Sequence, residues 1–461
     1  MASLVGALGF FSLLVACGST KNGNGFGPEN NGGVDAGADG TVNGPGDEGP
    51  AFSMDAGEAA PACVNLQCKR QTCPGGATTT ITGTVWDPAG KNPLYNAIVY
   101  VPNAKLDPIT HGASCDKCAG SASGSPVATA LSDTTGAFTL KDVPIGNDIP
   151  LVIQVGKWRR QITIPTVAAC TENKITDFNL TRLPANQKEG DMPLIALTGG
   201  CDPVHTLIQK IGIASTELTD ENGKGTVHVF KGVGSYNGGV PTATDAYAFW
   251  GTLSKMMKYD IIINECECDH YPRDTVGPAY ANMAAYLNAG GRSFNSHFHL
   301  NFFGGEAGHS DPGLLSVADW SLWGGSQTAN PNTIEVGFPK GKAFADWMQN
   351  LPKVSKWGAG IKTSAYGQLN AGINGDIKAA KPSISQSWIT SGASVGYMSI
   401  NFPLASKPED RCGRAVLTDL HVGTGGPTMI EQEAALEFML FDLSSCVQDD
   451  NVPPAPPPPV R

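Results

Sequence analysis

The pattern of hydrophobic and polar positions divides the chain into two differently built regions. Between residues 76 and 184, short segments such as "TTTITGTV", "NAIVYV" and "GAFTLKDV" alternate apolar and polar positions. Gly, Pro, Asn or Asp bounds each segment, and Val, Ile and Thr are abundant within them. A period of two with these residue types is typical of strands. The region therefore predicts a small all-β sandwich without a substantial helix.

From residue 190 to residue 446, strand-like segments alternate with segments of helical period. The segment "LIALT" is a continuous apolar run typical of a buried parallel strand, and "TVHVF", "DIIIN", "RSFNS" and "GRAVLT" are expected to be further strands. The segments "DPVHTLIQKIGI", "AYAFWGTLSKMMKY", "PAYANMAAYLNAGG" and "EQEAALEFMLFDLSSC" carry apolar residues at helical spacing. Strands alternating with helices predict an α/β domain built on a doubly wound parallel sheet, as in flavodoxin-like folds. The chain is thus expected to be multidomain.

The outer parts of the sequence have no such pattern. Residues 4–16 form an apolar run that is too short to span a bilayer and ends in small residues, which predicts a signal peptide over 1–17. "LVAC" at 14–17 resembles a bacterial lipobox, which implies lipidation of Cys17; an ordinary secretory signal is the alternative. Residues 18–75 are rich in Gly, Asn and Asp and end in a cysteine cluster, which predicts a disordered tether. The Pro-rich residues 447–461 predict an exposed polyproline II tail.

Charge and cysteine content narrow the choice of partners and compartment. The formal net charge of −11 argues against a nucleic-acid partner, because phosphate binding needs a basic surface. Twelve cysteines in an exported chain indicate disulfides. Without Cys17 the number is odd, so one thiol should be free, metal-bound or intermolecular.

Three disulfide pairings are expected from the order of the predicted elements. Cys412 precedes the last main strand and Cys446 follows the final helix, so these two are expected to pair. Cys201 leaves the first strand at the edge that carries Cys266 and Cys268, and is expected to pair with one of them. Cys115 and Cys118 form a C-x-x-C that is expected to close locally, with bridges to the Cys63, Cys68 and Cys73 cluster as the alternative.

The predicted sandwich carries a recognisable pattern. "GTVWDPAGKNPLYNAIVYV" followed by "SDTTGAFTLKDVPIG" resembles the carboxypeptidase regulatory-like (transthyretin-like) domain. The resemblance covers nearly the whole segment. It implies a structural or adhesive module, with contact to carbohydrate or another surface, rather than a catalyst.

The predicted α/β region resembles the class I glutamine amidotransferase-like superfamily, and within it ThuA-like domains. The resemblance rests on "KYDIIIN", "LNAGGRSFNSHFH" and "GRAVLTDLHVG". In glutaminases the turn after the fourth strand carries a nucleophilic cysteine, and a late strand supplies His-Pro-Glu. Here the turn contains Ser296 and His297, and Val422 and Gly423 follow His421. These departures argue against glutaminase activity.

Polar residues follow several predicted strands, and the carboxyl ends of parallel strands share one edge of a sheet. In one interpretation, His297 and His299 lie on one face of an extended segment and bind a divalent metal with His421 and either Asp419 or Asp269. In a second, Ser296 is a nucleophile and His421 or His297 its base. In a third, the histidines are hydrogen-bonded in a site without catalysis.

Two further features leave alternatives open. Cys266 and Cys268 form a C-x-C that could supply soft metal ligands instead of a disulfide. Trp320, Trp323, Trp347 and Trp357 lie in a Trp- and Gly-rich insertion, where they would form either a sugar-stacking platform or ordinary core.

These patterns predict an outer membrane-anchored lipoprotein, periplasmic or surface-exposed, with a binding or structural role. Its expected partners are the membrane, through the lipid, and a surface glycan or protein. No cofactor is specified beyond the candidate divalent metal. The alternative is a metal-dependent hydrolase or carbohydrate-modifying enzyme that uses the histidine cluster.

Overall fold

The computed structural model describes residues 63–460, apart from 201, 233–237, 268–277, 307, 323–329, 359 and 423–426. The predicted signal peptide, most of the tether and the lipidation site Cys17 lie outside these residues. The described residues belong to one compact unit. Their structure is multidomain and rich in β-sheet, with several helices. No helix in the described part of the chain is both long and apolar enough to cross a bilayer.

The alternating segments of the first region form two small sheets that pack as a sandwich. One sheet has the order β4-β1-β7 and the other has the order β3-β2-β5-β6. A one-turn helix, α1 (Phe178–Thr181), follows, with Asp177 as its N-cap. The strands are β1 (Thr80–Thr84), β2 (Ile98–Pro102), β3 (Pro126–Leu131), β4 (Ala137–Lys141), β5 (Gly146–Val155), β6 (Trp158–Val167) and β7 (Glu172–Lys174).

The second region forms one large mixed sheet with helices packed against it. Its strands are β8 (Ile195–Thr198), β9 (Leu218–Thr219), β10 (Val227–Lys231), β11 (Thr244–Asp245), β12 (Ile261–Asn264), β13 (Arg292–Ser296), β14 (Ala318–Trp320), β15 (Asn332–Ile334), β16 (Gln368–Leu369), β17 (Ile377–Ala380), β18 (Ser385–Ser391), β19 (Ser394–Phe402) and β20 (Gly413–Thr418). Its helices are α2 (Val204–Lys210), α3 (Ala246–Trp250), α4 (Leu253–Met256), α5 (Ala279–Asn288), α6 (Asn301–Gly304), α7 (Pro312–Leu315), α8 (Pro339–Val354) and α9 (Glu431–Ser444).

The centre of this sheet is parallel, in the order β10-β8-β12-β13-β20. Every residue of β8, β12, β13 and β20 is buried. Burial on both faces explains why β8 and β12 are almost wholly apolar rather than alternating, whereas β13 buries Arg292, Ser293, Asn295 and Ser296 around Phe294. The helix expected over 246–259 is interrupted at Gly251 and becomes α3 and α4.

The expectation of a purely parallel sheet is wrong at one side. β19 pairs antiparallel with β20, and β18 and β15 extend the sheet beyond it, also antiparallel. The segment 385–402 has two strand-like stretches around Gly392, whose φ is +59°. Glycine adopts this left-handed backbone readily, so the turn joins neighbouring strands directly and needs no crossover helix.

The tryptophans of the insertion lie mainly in the core. Trp347 and Trp357 are buried, at 1% and 5% exposure, and Trp320 is half-buried. Trp347 packs against Phe438 of α9 and donates a hydrogen bond to the Pro93 carbonyl of the sandwich. Trp323 lies outside the described residues. The sugar-stacking platform is therefore wrong for Trp347 and Trp357, because both bury their ring faces.

Two expected disulfides are also wrong. Cys115 pairs with Cys412 and Cys118 with Cys446, so neither Cys115–Cys118 nor Cys412–Cys446 forms. The other two bridges within the described residues are Cys63–Cys68 and Cys73–Cys170. Sequence order misled here because residues 105–125 form an arm that crosses from the sandwich to the large sheet.

Asp260 anchors this arm. Its carboxylate accepts a hydrogen bond from the Gly112 amide at 2.8 Å and lies 2.8 Å from His111 Nδ1. The arm is thereby held with Cys115 beside Cys412 and Cys118 beside Cys446. Both partners belong to the region that contains the large sheet, which we call the large-sheet module. Both bridges have a Cα–Cα distance of 4.9 Å, which is within the normal range for a disulfide.

The Pro-rich tail was expected to be exposed throughout, and this is wrong at its contacts with the sandwich. Residues 452–460 lie along β3, and Pro457 is buried. Pro454 and Val460 are half-buried, whereas the other tail residues from 452 to 459 are exposed. A proline segment can pack closely while forming few backbone hydrogen bonds, because its rings supply apolar surface.

Candidate metal centre

The carboxyl ends of four neighbouring parallel strands gather polar side chains. Asp202 follows β8, residues 265–267 follow β12, His297 follows β13, and His421 follows β20. Because β8, β12, β13 and β20 are adjacent in this order, their carboxyl ends meet. A fifth segment, residues 374–376 just before β17, joins them from the antiparallel side.

Cys266, His297 and His421 form the centre of this cluster. Their ligand atoms all lie within 4.8 Å of one another. Cys266 Sγ is 3.2 Å from His297 Nδ1, and the two imidazole rings meet edge-on with centroids 4.9 Å apart. Cys266 is buried, the His297 side chain is 12% exposed and the His421 side chain 34% exposed. The cluster is therefore accessible on the His421 side.

Each histidine has a carboxylate close to one of its ring nitrogens. Asp376 Oδ2 lies 3.3 Å from His297 Nε2, and Asp202 Oδ2 lies 3.4 Å from His421 Nδ1. Asp202 is fixed in turn, since its Oδ1 accepts a hydrogen bond from the Val422 amide at 2.7 Å. Carboxylates in this position orient an imidazole and increase its basicity.

The electrostatics of the three central groups are mutually reinforcing. Burial acts to raise the pKa of the Cys266 thiol, but hydrogen bonds to His297 and His421 outweigh it and lower this pKa to about 6. Burial acts to lower the pKa of His297, yet Asp376 and Cys266 raise it to about 9. Asp202 and Cys266 likewise overcome burial and raise the pKa of His421 to about 10. At neutral pH the cluster thus favours a thiolate beside two imidazolium rings, and a metal ion that bound there would displace the ring protons.

Two further carboxyl groups support the backbone of the site. Glu265 accepts hydrogen bonds from the amides of Gly200, at 2.5 Å, and Val204, at 3.1 Å, and burial raises its pKa. Asp419 accepts hydrogen bonds from the amides of Gly375 and Asp376. Burial, together with the charge of Asp376, raises the pKa of Asp419 to about 7. Asp419 therefore positions the loop that carries Asp376, and its expected role as a metal ligand is wrong.

Gly200 permits the close approach of two strand ends. A Cβ at this position would lie 2.1 Å from the Cys266 carbonyl oxygen. Any side chain would therefore push the Cys266 segment away from β8. The "TGG" that ends the first apolar run is the sequence signal of this contact.

The expected His297 and His299 pair does not form. Residues 297–300 adopt a 3₁₀ turn rather than an extended strand. Positions two apart then differ by about 240° around the turn axis, so the two side chains point to different sides. His299 is fully buried, with its Nε2 3.7 Å from Glu267 Oε2 and its ring 5.2 Å from that of Trp250. His299 belongs to the core behind the site.

The serine nucleophile is also wrong. Ser296 is the last residue of β13 and is 1% exposed. Its hydroxyl donates to the Leu420 carbonyl at 3.3 Å and lies 3.5 Å from Asp202 Oδ2. The residue at the turn is His297, whose φ of +38° is unusual for a residue with a side chain. Strained backbone of this kind is found where a side chain must be aimed for function.

Three residues of the sequence-based predictions, Asp269, Cys201 and Cys268, lie outside the described residues. Cys201 was expected to pair with Cys266 or Cys268. Cys266 is the free cysteine of the described part, so the pairing with Cys266 is wrong, and the pairing with Cys268 lies outside the described residues. The alternative interpretation of Cys266, as a soft ligand at a strand end, agrees with the geometry.

Sequence reasoning missed Asp376 and Asn374. They belong to "NAGINGDIKAA", where an Asn-Gly-Asp turn directly precedes the short strand β17. Asn374 Nδ2 lies 3.4 Å from His421 Nε2. The turn signal was present in the sequence, but only the antiparallel extension of the sheet brings it to the site.

Comparisons with known proteins do not identify a family. No family model matches the chain, and no curated protein matches it. Among solved structures, a cytoplasmic protein from Salmonella typhimurium aligns with 55% of this chain and 98% of its own, at 10% identity and a TM-score of 0.30. A type II cohesin–X-dockerin complex from Acetivibrio cellulolyticus aligns with 31% of this chain and 75% of that chain, at 13% identity and a TM-score of 0.15. The major pilin subunit of Bacillus cereus aligns with 23% and 30%, at 17% identity and a TM-score of 0.14. Likeness at this level carries no argument about function.

Proposed function

We propose that this chain is a zinc-binding protein of hydrolase type whose metal ligands are Cys266, His297 and His421. One observation carries the proposal: the three ligand atoms lie within 4.8 Å of one another. The carboxylates beside both imidazoles support it, because metal-bound histidines usually contact a carboxylate or carbonyl through their other nitrogen.

The donor set favours a borderline or soft metal ion. One thiolate and two imidazoles suit zinc or copper, whereas magnesium and calcium prefer oxygen donors. Three protein ligands with one open position are typical of catalytic zinc sites. A bound zinc ion would supply Lewis acidity and lower the pKa of a coordinated water. The partly exposed His421 faces the side from which a substrate would enter.

The other residues of the site hold its ligands in place. Asp376 orients His297, and Asp202 orients His421 while also binding the Val422 amide. Glu265, after β12, binds the Gly200 amide, after β8, and so holds the ends of these two strands together. Gly200 has no side chain and leaves room for the Cys266 backbone.

A second function has one specific observation in its favour. Cys266, His297 and Asp376 form a line with spacings of 3.2 and 3.3 Å, which is the arrangement of a nucleophilic thiol, its base and an orienting acid. A thiol-dependent hydrolase would use the same three residues without a metal.

We also propose that the protein is exported and tethered to the envelope through Cys17. The four disulfides support export, because such bonds persist in oxidising compartments. In that environment a thiolate is open to oxidation, and coordination of Cys266 by a metal would protect it. The sandwich would then act as the surface-contacting module.

Elemental analysis of the full chain, produced in an oxidising compartment, tests the metal. We expect close to one zinc per chain, with loss of the metal in Cys266→Ser and in His297→Ala/His421→Ala. The matched control is His309→Gln, because His309 is exposed and is not one of the three cluster residues. Cobalt substitution should give a thiolate-to-cobalt charge-transfer band that Cys266→Ser lacks.

The same preparations separate the two functions. Metal content no higher in the wild type than in Cys266→Ser would overturn the zinc centre. If the wild type is metal-free, rapid alkylation of its Cys266 at neutral pH would assign the thiol mechanism, provided that His297→Ala slows the alkylation. Slow alkylation would leave the cluster a structural one.

A further inference from the structure

The Pro-rich tail, residues 452–460, packs along the outer edge of β3. We call this contact surface, which includes Pro126 and Thr129, the seat. Thr129 Oγ1 of β3 donates a hydrogen bond to the Pro457 carbonyl at 2.6 Å, and the Val460 amide donates to the Pro126 carbonyl at 2.7 Å. β3 is the edge strand of its sheet, with β2 on its other side. The tail therefore covers an open sheet edge.

The burial pattern of the tail has a period of three. Pro454 and Val460 are half-buried and Pro457 is buried, whereas the residues between them are exposed. A polyproline II helix has three residues per turn, so positions 454, 457 and 460 share one face. That face is the one directed at the sandwich.

The two hydrogen bonds also agree in register. Position 126 contacts position 460 and position 129 contacts position 457, so the tail runs antiparallel to β3. Three residues of a strand span roughly 10 Å and three residues of polyproline II span roughly 9 Å, so the two repeats coincide at this spacing. The seat therefore contacts the tail at two points that are separated by one turn of the polyproline II helix.

The apolar part of the seat lies around Pro457. Ile98 and Leu131 line this contact, and Val460 packs against the main core cluster. Proline has no N–H to pair with an edge strand, so its affinity comes from its rings and its carbonyl oxygens. The surface thus provides a hydroxyl donor and a backbone acceptor separated by one turn of such a helix.

We propose that the β3 edge of the sandwich is a binding surface for proline-rich polyproline II segments, and that residues 452–460 occupy it within the same chain. The partner it fits has an apolar residue at every third position, as at 454, 457 and 460. Only a short segment joins the tail to the rest of the folded chain, which gives the tail an effective concentration in the millimolar range at the seat. A segment from another protein would therefore bind only when the tail is displaced.

A labelled peptide with the sequence NVPPAPPPPV tests this surface, titrated into the full chain and into a variant that ends at Asn451. This variant keeps Cys446 and Asp450, which connect the preceding segment to the protein. We expect saturable binding to the shortened variant and at least tenfold weaker binding to the full chain. Thr129→Val should weaken binding to the shortened variant about fivefold.

The matched peptides replace one proline each. Ala at the position of Pro457 should weaken binding at least fivefold more than Ala at the position of Pro456, since both lower polyproline II content but only Pro457 is buried. Equal effects of the two peptides, no binding to the shortened variant, or equal binding to the full chain would each overturn the proposal.

Hydrogen exchange on the intact chain provides a measurement that needs no shortened variant. The Val460 amide should exchange more slowly than the Ala455 amide, and Thr129→Val should reduce the difference. Equal exchange at both positions would contradict the seat. A full chain that is dimeric, and monomeric when it ends at Asn451, would assign the seat to the tail of a second copy and overturn occupation within one chain.

Discussion

At the scale of single residues, the site is organised by two carboxylates that sequence position does not connect. Asp202 comes from the end of β8 and Asp376 from the loop before β17, yet each lies within 3.4 Å of an imidazole of the cluster. Neither would be a ligand in the proposed zinc centre. Their effect would be to fix which nitrogen of each ring is free to coordinate.

Asp376→Asn should lower the affinity of the full chain for zinc about 10- to 100-fold, because an amide no longer supplies the charge that orients His297. Competition with a chromogenic chelator measures this affinity. The cobalt charge-transfer band should persist in the variant at saturating metal, since Cys266 is unchanged. Asp346→Asn is the control, as Asp346 forms an ion pair with Lys342 on the surface. Equal affinities in the wild type and Asp376→Asn would contradict a role in positioning.

At the scale of elements, the arm 105–125 determines how the two modules are joined. Two disulfides fasten it to the large-sheet module, one ahead of β20 and one behind α9. Asp260 holds it further through His111 and Gly112, and Lys157 of the sandwich donates hydrogen bonds to both Asp260 and the Gly112 carbonyl. The C-x-x-C of the sequence is thus a pair of links between modules and not a local loop.

Cys118→Ser/Cys446→Ser should lower the free energy of unfolding by about 2–4 kcal/mol, because the open bridge no longer restricts the unfolded chain. Denaturant titration without reductant measures the loss. Cys63→Ser/Cys68→Ser is the matched control and should cost less, because these cysteines are only 5 positions apart. Peptide mapping should recover Cys115 linked to Cys412; a peptide that links Cys115 to Cys118 would be incompatible with the arm.

At the scale of the whole molecule, two buried carboxyl groups meet between the modules. Asp87 belongs to the sandwich and Glu437 to α9, and both are fully buried. Asn92 donates to Glu437 Oε2 at 2.5 Å, and the Asp87 Oδ1 accepts from the Lys91 amide. Burial raises the pKa of Asp87 to about 7, and burial with the charge of Asp87 raises that of Glu437. Each of the two carboxyl groups therefore binds its proton more tightly in the folded protein than in the unfolded chain.

The folded state retains the protons of Asp87 and Glu437 at pH values where the unfolded chain has lost them, so their stabilising effect is complete in acid. The part that belongs to Asp87 is lost as the pH rises through about 7, and the part that belongs to Glu437 is also lost as the pH rises, because burial raises the pKa of that group as well. Between pH 6 and pH 8, we expect the free energy of unfolding of Glu437→Gln to fall less than that of the wild type, by on the order of 1 kcal/mol. Denaturant titrations across this range measure the difference, with the exposed Glu409→Gln as control. Parallel pH curves for the wild type and Glu437→Gln would refute a raised pKa at Glu437.

The sequence by itself determined the local elements. The strands β8 and β12 were predictable because burial on both faces favours continuous apolar residues, and the sandwich strands because burial on one face favours alternation. The strands β13 and β20 were predicted from their place in the alternation of strands and helices. The edge that carries the candidate site was also predictable, since parallel strands end on the same side. His297 and His421 were identified on that basis.

Only the tertiary structure decided which side chains meet. His299 points into the core because its segment is a 3₁₀ turn, and the cysteines of the arm pair across modules because the arm crosses between them. Asp376 lies beside His297 because β17, which follows it, pairs antiparallel with β19. The local pattern of apolar residues does not predict that pairing. The physical reason is the same in all three cases. The spacing of hydrophobic residues indicates which side chains are buried, whereas contacts between residues far apart in the chain depend on how the helices and strands pack together.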